Sequence, residues 1–451
     1  MFKTNIYKDA SSKKIKEIFD FAEGYKKFLG NAKIERQAVK ETVKLAIAKG
    51  YKNIDEVKEI KKGDKLYKVN KAKSIVLFKI GSKPLTDGLR ILGAHIDSPR
   101  LDLKPQPLYE DKGFVLLDTH YYGGIKKYQW VTTPLSIIGV VVKKSGEVID
   151  INLGENENDP IFGIGDLLIH LASNQMDKTA SKVIEGEALD LTFSSMQTKD
   201  KKPKEYILDL LKEKYDITEE DFVSAELEVV PQMKPRDYGF DRSMIAGYGH
   251  DDKVCAYPSL MALLDSPNPE YTSCVILTDK EEIGSVGATG AHSFFFENSV
   301  AELLNKMGDN NYYSLKKTLE NSKMLSSDVT GAIDPLYSSA SDSNNASNLN
   351  CGIAFEKYTG ARGKSGASDA TAEYVAYIRK VMDENNIYYQ FGELGKVDQG
   401  GGGTIAYILA KYNMDVIDAG VPVLNMRAPM EIISKADLYE AYLAYLAFLK
   451  Y

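Results

Sequence analysis

The sequence predicts an α/β protein in which a mostly parallel mixed sheet is flanked by helices and carries an inserted β-rich domain. Three observations predict this fold: strands and helices alternate in residues 1–103, β-rich segments fill residues 104–235, and the alternation returns in residues 236–451. Alternating strands and helices build mostly parallel sheets, whereas a run of strands builds a layer of its own. We therefore expect one α/β domain from the two outer segments and an inserted domain from the middle one.

The first segment is predicted to begin with two helices and to continue with two buried strands. Apolar residues recur at helical spacing in residues 12–29 and 35–49. Short apolar runs rich in β-branched residues follow at residues 74–80 and 91–95. Runs of this length and composition are typical of buried strands.

The middle segment is predicted to be rich in strands. Alternating or β-branched stretches at residues 135–143, 147–153 and 227–230 indicate strands. A helix-like pattern at residues 166–174 interrupts them. The last segment returns to helices, at residues 254–264, 368–384 and 435–450, and to strands, at residues 274–278 and 422–426.

The composition excludes several classes of protein. With 451 residues, of which 43% are apolar and 27% charged, the chain is too long for one compact core and too apolar to be disordered. Its net charge of -7, with lysines mixed among the acidic residues, provides no basic face for nucleic acid and no polybasic anchor for a membrane. The three cysteines, Cys255, Cys274 and Cys351, are expected to be reduced core residues. Residues 1–28 lack the apolar stretch of a signal peptide or spanning helix, so we expect a soluble cytoplasmic protein.

Two adjacent glutamates, Glu281 and Glu282, follow shortly after the strand predicted at residues 274–278. Ligands of open α/β sheets bind at the carboxyl ends of strands, and two adjacent side chains there point in different directions. One glutamate can therefore bind a metal ion while the other transfers a proton. For this pair taken by itself, a solvated acidic turn is the alternative.

Three more polar positions lie at the ends of predicted strands or short apolar stretches, or just before a predicted helix. His95 ends the strand predicted at residues 91–95, with Asp97 two residues on; Asp251 precedes a predicted helix, and Asp328 follows a short apolar stretch. An imidazole can bind zinc while a nearby carboxylate orients it. Taken singly, such residues are more often a structural histidine, a helix cap and a turn aspartate, although a cap accounts for only one of the tandem Asp251-Asp252. Taken together, they suit two divalent ions that share a carboxylate, with a metal-bound water and a glutamate as general base.

This order of residues resembles the aspartyl aminopeptidase and aminopeptidase I family of zinc metallopeptidases. The resemblance extends over nearly the whole chain and is carried by stretches at residues 94–100, 121–130, 251–255, 279–285, 327–335 and 395–403. It implies a fold of the zinc exopeptidase type and hydrolysis of the N-terminal peptide bond of short peptides, with a preference for acidic N-terminal residues. It also implies a role for six residues: His95 and Asp328 would hold one zinc ion, Glu282 a second, Asp251 would bridge them, Glu281 would be the general base, and Asp97 would support His95.

One position departs from the family pattern. The family's last zinc ligand is a histidine, and this sequence has Arg427 in the matching segment. A guanidinium has no lone pair to donate and stays charged, so Arg427 cannot replace that ligand and the second ion is in doubt. Two consequences are open: Arg427 places its cation near Glu282 and partly replaces the charge of the missing ion, or the site is inactive.

Two other histidines are candidates for a part in the site. The family also has a histidine in the segment that contains His170, which could contact substrate or assist the metal centre, across a subunit interface if need be. An ordinary core or surface histidine is the alternative for His170. His250, next to Asp251, is a weaker candidate for a replacement ligand.

The function expected from the sequence is that of a zinc-dependent aminopeptidase with one or two ions and with peptides as substrates. The resemblance further implies a large homo-oligomer, a dodecamer, assembled through residues 104–235. Two alternatives stay open. One is a related amidohydrolase with a similar two-metal core, and the other, suggested by Arg427, is a catalytically impaired family member that acts as an assembly or binding subunit.

Overall fold

The computed structural model describes residues 4–451, which divide into two compact units. The first unit comprises the described part of Met1–Asp97 together with Pro235–Met426 and Met430–Tyr451. The second comprises Ser98–Lys234 with Arg427–Pro429. Each unit has its own sheets. The assignment of residues 104–235 to oligomerisation, and the domain boundaries given with it, stay predictions.

Helices occur in both units, and most of them lie in the first. The described helices are α1, Ile6–Asp9; α2, Ser12–Asn31; α3, Glu35–Ala48; α4, Ser173–Met176; α5, Pro203–Tyr215; α6, His250–Asp265; α7, Phe295–Lys306; α8, Tyr312–Glu320; α9, Ala372–Glu384; α10, Ala406–Ala410; and α11, Lys435–Lys450. Helix α6 has non-helical backbone at Asp251 and Asp252, so its regular turns begin after these aspartates.

The strands are mostly short, as expected for strands of a globular protein. The described strands are β1, Lys52–Asn53; β2, Lys65–Asn70; β3, Ser74–Lys79; β4, Arg90–His95; β5, Arg100–Asp111; β6, Phe114–Tyr122; β7, Leu135–Val142; β8, Val148–Leu153; β9, Leu191–Ser194; β10, Ala225–Pro231; β11, Arg236–Tyr238; β12, Met244–Gly247; β13, Ser273–Thr278; β14, Lys323–Ser326; β15, Thr330–Gly331; β16, Ile353–Glu356; β17, Tyr389–Phe391; β18, Asp415–Gly420; β19, Pro422–Leu424; and β20, Glu431–Ser434.

A nine-stranded mixed sheet forms the centre of the first unit, in the order β1-β2-β3-β13-β4-β14-β18-β16-β17. Its central strands, β13, β4, β14 and β18, are parallel to one another. Strand β3 is antiparallel to both of its neighbours, and β16 is antiparallel to β18. Apolar residues of these strands and of helices such as α6 and α11 share one buried core. The predicted fold class, a mostly parallel mixed sheet flanked by helices, is confirmed.

The parallel register brings the carboxyl ends of three strands to one edge of this sheet. Thr278 at the end of β13 lies beside His95 at the end of β4, and Gly93 of β4 lies beside Ser326 at the end of β14. Polar residues that follow these strands therefore lie close together in space although they are distant in sequence. Ligands of open α/β sheets bind at such an edge.

Two smaller sheets complete the two units. The first unit has a five-stranded sheet in the order β11-β12-β20-β19-β15. The second unit has a six-stranded sheet in the order β8-β7-β10-β5-β6-β9, in which every pairing is antiparallel. The strands predicted at residues 135–143, 147–153 and 227–230 are present there as β7, β8 and β10.

The helix predicted at residues 166–174 is wrong. The segment is irregular except for a single 3₁₀ turn, Ile169–Leu171, and the start of α4. Its apolar side chains are exposed, with 71% of Ile169 and 67% of Leu171 accessible to solvent, so no packing stabilises a helical apolar face. Asp166 also accepts a hydrogen bond from the Leu167 backbone N–H, which competes with helical hydrogen bonding.

The other predicted helices and strands are confirmed, with shifts at their ends. The helix predicted at residues 368–384 begins at Ala372, where the Thr371 side chain accepts a hydrogen bond from the Tyr374 N–H and caps it. The strand predicted at residues 422–426 ends at Leu424.

The three cysteines are buried and free, as predicted. In the described part of the chain, no helix is long and apolar enough to cross a membrane.

Candidate metal centre

Three side chains from different elements of the first unit meet at the carboxyl edge of its large sheet. His95 is the last residue of β4, Asp251 lies in the irregular start of α6, and Asp328 follows β14 by two residues. The His95 Nε2 atom lies 3.1 Å from Asp251 Oδ1 and 3.9 Å from Asp328 Oδ1. Each of the three residues offers one donor atom, and these atoms lie within 4.8 Å of one another.

This donor set fits a divalent metal ion such as zinc. It consists of one imidazole nitrogen and two carboxylate oxygens, which are the ligand types that zinc accepts. The pKa of His95 is raised well above its usual value: burial alone would lower it, but hydrogen bonds with Asp251 and Asp97 outweigh burial. Burial raises the pKa of Asp328 well above its usual value, and the negative charges of Asp252 and Glu281 add to this effect. A cation bound among these buried carboxylates would favour their charged forms.

Asp97 links the histidine to the turn that carries the two glutamates. Its Oδ1 atom lies 3.2 Å from His95 Nδ1 and accepts a hydrogen bond of 3.1 Å from the Glu281 backbone N–H. Its Oδ2 atom accepts another of 3.2 Å from the Glu282 N–H. Lys280 has a left-handed conformation with φ of 69°, which turns the chain at this point. Asp97 is fully buried. Because of these contacts, its carboxylate helps to orient both the imidazole and the turn that carries the glutamates.

Glu281 and Glu282 lie at the same centre. The Glu281 Oε2 atom is 3.8 Å from His95 Nε2, and donor atoms of His95, Glu281 and Glu282 form a second group within 4.8 Å of one another. Glu281 is 9% exposed at its side chain, so it faces the centre with little solvent around it. The structure thus brings together the six residues for which the family resemblance implies a role: His95, Asp97, Asp251, Glu281, Glu282 and Asp328. Their individual roles stay predictions.

Sequence reasoning missed two buried acids that contact this centre. Asp252 Oδ2 accepts a hydrogen bond of 3.2 Å from the His95 backbone N–H, and Glu431 Oε2 accepts one of 3.1 Å from the Asp251 N–H. The tandem Asp251-Asp252 was a signal for the first, because a helix cap accounts for only one aspartate. For Glu431, the available signal was an acidic residue directly before the apolar pair Ile432-Ile433.

His250 is buried in the core, where its ring contacts Tyr25. Its Nδ1 atom is 2.7 Å from the Tyr25 hydroxyl, and burial lowers the pKa of His250 to about 3. Among the described residues, His250 belongs to neither group of candidate ligands.

His170 and Arg427 belong to the second unit. His170 lies in the exposed 3₁₀ turn Ile169–Leu171. Arg427 has a left-handed backbone with φ of 65°. A Cβ added at Gly124 would lie 3.2 Å from the Arg427 Nη1 atom, which is a tight contact. Gly124 therefore leaves room for the guanidinium. The parts of His170 and Arg427 in the site stay predictions.

Comparison with known proteins gives matches over nearly the whole chain. The family model described as aminopeptidase I zinc metalloprotease (M18) matches residues 28–449. A Clostridium acetobutylicum protein named a probable M18 family aminopeptidase 1 is 54% identical, and the match covers 99% of this chain and 97% of that protein.

Solved structures also match over nearly the whole chain. The crystal structure of an M18 family aminopeptidase from Thermotoga maritima superposes with a TM-score of 0.96 at 44% identity, covering 100% of this chain and 99% of that one. The S. cerevisiae mApe1 dodecamer shares the fold, with a TM-score of 0.78 at 19% identity and coverage of 96% of this chain and 97% of that one.

Proposed function

The chain belongs to the aminopeptidase I zinc metalloprotease (M18) family, and from this premise we propose that it hydrolyses the N-terminal peptide bond of short peptides. The family model and the named relatives support the predicted enzyme class, a zinc-dependent aminopeptidase. The observation that carries the proposed mechanism is the donor group of His95, Asp251 and Asp328 with Glu281 beside it.

In this proposal His95, Asp251 and Asp328 would hold one zinc ion, and Glu282 would serve a second position to which Asp251 would also contribute. Bound zinc supplies a Lewis acid that polarises the scissile carbonyl and makes water acidic enough to act as a nucleophile near neutral pH. Asp97 keeps the imidazole of His95 in the orientation that leaves Nε2 for the metal.

Glu281 acts as the general base. Its carboxylate takes a proton from the attacking water and passes it to the departing amine. The turn that carries it is fixed by the hydrogen bonds from the Glu281 and Glu282 N–H groups to Asp97, so the carboxylate is held in place before substrate binds.

The substrate class is tested with a panel of peptides that differ in their first residue, each with a free and a blocked N-terminus. An aminopeptidase needs the free amine, so blocked peptides are expected to resist hydrolysis. Cleavage of blocked peptides would instead support a related amidohydrolase. Fastest hydrolysis of peptides that begin with aspartate or glutamate would support the acidic preference, which rests on the family resemblance alone.

We expect Asp97→Asn to weaken zinc binding by about 10- to 100-fold, because partners that orient a ligand typically contribute this much. Asparagine keeps the size of the side chain but has one oxygen in place of two, and Asp97 uses both. Zinc affinity is measured by competition with a coloured chelator, with the exposed Asp20→Asn as the control. Equal affinities of the Asp97 variant and the wild type would contradict the role given to Asp97.

Arg427 leads us to propose that the native protein binds one zinc ion tightly. We expect Arg427→His to raise the zinc content from about one ion per chain toward two, because the imidazole supplies the missing donor. Histidine tolerates the left-handed backbone at this position better than most residues. Arg427→Met, which removes the cation without adding a donor, is the control. Two tightly bound ions in the wild type, found by metal analysis, would refute this proposal.

A large homo-oligomer is also part of the proposal. The second unit exposes a row of apolar side chains in one segment, at Leu167, Leu168, Ile169, Leu171 and Met176. Exposed apolar clusters of this kind mark protein interfaces, and a relative with the same fold is a dodecamer. Light scattering tests the assembly, and a monomer in solution would contradict it. In such an assembly His170 would lie at an interface between subunits.

The alternative of a catalytically impaired subunit is not favoured, because the relatives that match this chain over nearly its full length are named aminopeptidases. The cytoplasmic location is kept as part of the proposal.

A further inference from the structure

A buried ionic cluster lies beside the turn that carries Glu281 and Glu282, and the proposed function does not use it. Glu35 and Asp279 are 0% exposed, and Lys73 is 8% exposed. The Lys73 Nζ atom lies 2.7 Å from Glu35 Oε1 and 3.7 Å from Asp279 Oδ2. Burying two carboxylates is costly unless a cation balances them, so Lys73 is needed wherever both acids stay charged.

The cluster is joined to both ends of the loop that follows β13. Asp279 begins this loop, and its Oδ2 atom accepts a hydrogen bond of 2.5 Å from the Thr289 hydroxyl near the loop's end. The Asp279 N–H donates to the Thr289 carbonyl at 3.3 Å, which closes the loop on itself.

The hairpin between β2 and β3 holds the loop from outside. Asn70 in this hairpin donates a hydrogen bond of 2.8 Å to the Ala288 carbonyl, and Lys73 in the same hairpin reaches Asp279. Glu35, the first residue of α3, fixes the Lys73 ammonium at 2.7 Å. The loop is therefore held near its beginning and near its end by one hairpin.

We propose that Lys73 is a positioning residue for Glu281, which it holds in place through Asp279. Asp97 holds the middle of the turn through the Glu281 and Glu282 N–H groups, and Lys73 holds its start. Without the Lys73 ammonium, Asp279 is left with the partly exposed Lys280 ammonium at 3.6 Å and is still repelled by Glu35. The loop then shifts and carries the Glu281 carboxylate with it. This inference rests on the proposed role of Glu281.

The kinetic test compares Lys73→Met with two other variants. Lys73→Met keeps an unbranched side chain, one atom shorter, and removes its charge. Lys73→Arg keeps the charge, and Lys71→Met makes the first change at an exposed lysine of the same hairpin. For Lys73→Met we expect kcat to fall about 10- to 100-fold, because small displacements of a reacting group have effects of this size. KM and zinc content should stay near the wild-type values, Lys73→Arg should restore most of kcat, and Lys71→Met should have little effect.

A second measurement does not depend on activity. Hydrogen exchange of the zinc-free protein, followed by mass spectrometry, reports the opening of the segment 279–290. We expect Lys73→Met to speed exchange in this segment selectively, and Lys71→Met to leave it unchanged. If the wild type lacks peptidase activity, the proposed function fails, whereas the effect of Lys73 on the loop is still measured by exchange.

Thr289→Val provides an independent variant in case Lys73→Met does not fold. It removes the hydroxyl that donates to Asp279 without changing any charge, and we expect a smaller fall in kcat with the same local rise in exchange. The proposal is overturned if the folded, zinc-loaded Lys73→Met protein keeps kcat within about twofold of wild type, or if its exchange in segment 279–290 is unchanged. With Lys73→Met unfolded, the same two results for Thr289→Val overturn it.

Discussion

Glu281→Gln is expected to lower kcat by about 10²- to 10⁴-fold while leaving zinc bound, because a positioned general base contributes this much to proton transfer. Glutamine keeps the shape of the side chain and the backbone N–H that donates to Asp97 at 3.1 Å. Its amide cannot take a proton from water near neutral pH. The loss should therefore appear in kcat, with KM nearly unchanged. Steady-state kinetics on an aminoacyl p-nitroanilide, with zinc analysis of the same samples, measures both quantities.

The matched control for this variant is Glu56→Gln, which makes the same chemical change at an exposed position. It should keep full activity and zinc content. The role of Glu281 as general base is refuted if Glu281→Gln, with its zinc in place, retains kcat within about threefold of the wild type. A loss of zinc together with activity would instead assign Glu281 to the metal.

Asp251→Asn is expected to reduce zinc affinity by more than about 100-fold and to remove nearly all activity, since orienting partners alone contribute about 10- to 100-fold. Asp251 Oδ1 lies 3.1 Å from His95 Nε2. In the proposed function this carboxylate would contribute to both ion positions. Asparagine keeps the backbone N–H that donates to Glu431, so local structure is preserved. Metal analysis after dialysis against a weak chelator measures the loss.

Thermal unfolding gives a second measurement of the same effect. A ligand that binds only the folded state stabilises it by about 2.7 kcal/mol at 100 times its dissociation constant. Added zinc should therefore raise the melting temperature of the chelator-treated wild type and leave that of Asp251→Asn almost unchanged. The exposed Asp200→Asn is the control and should respond as the wild type does. A zinc response of Asp251→Asn equal to the wild type would exclude Asp251 as a ligand.

Much of the fold followed from local patterns. The strands β3, β4 and β13 are short apolar runs, and α2 and α3 carry apolar residues at helical spacing, so their positions were predicted within a few residues. The helix prediction for residues 166–174 was wrong because a local pattern does not show what packs against it. The apolar residues of this segment suggest a buried helix face, but they are exposed in the chain, and only tertiary packing decides whether such a face is buried.

The family and its enzyme class were also predictable, because the residues that carry the chemistry stand in short, specific motifs. The family model that matches residues 28–449 confirms the resemblance. The departure at Arg427 is likewise visible in the sequence, since it concerns which atoms a side chain offers to a metal.

The sequence by itself determined which side chains are available to bind zinc and to transfer a proton, and it placed most of them after predicted strands. Only the tertiary structure decided which buried groups hold them. Asp252 contacts the backbone of His95 across 157 positions of sequence, and Glu431 contacts that of Asp251 across 180. Lys73, in the hairpin between β2 and β3, lies 3.7 Å from Asp279 in the loop that follows β13. Such contacts depend on the register in which distant strands pair, and no local pattern of residues encodes that register.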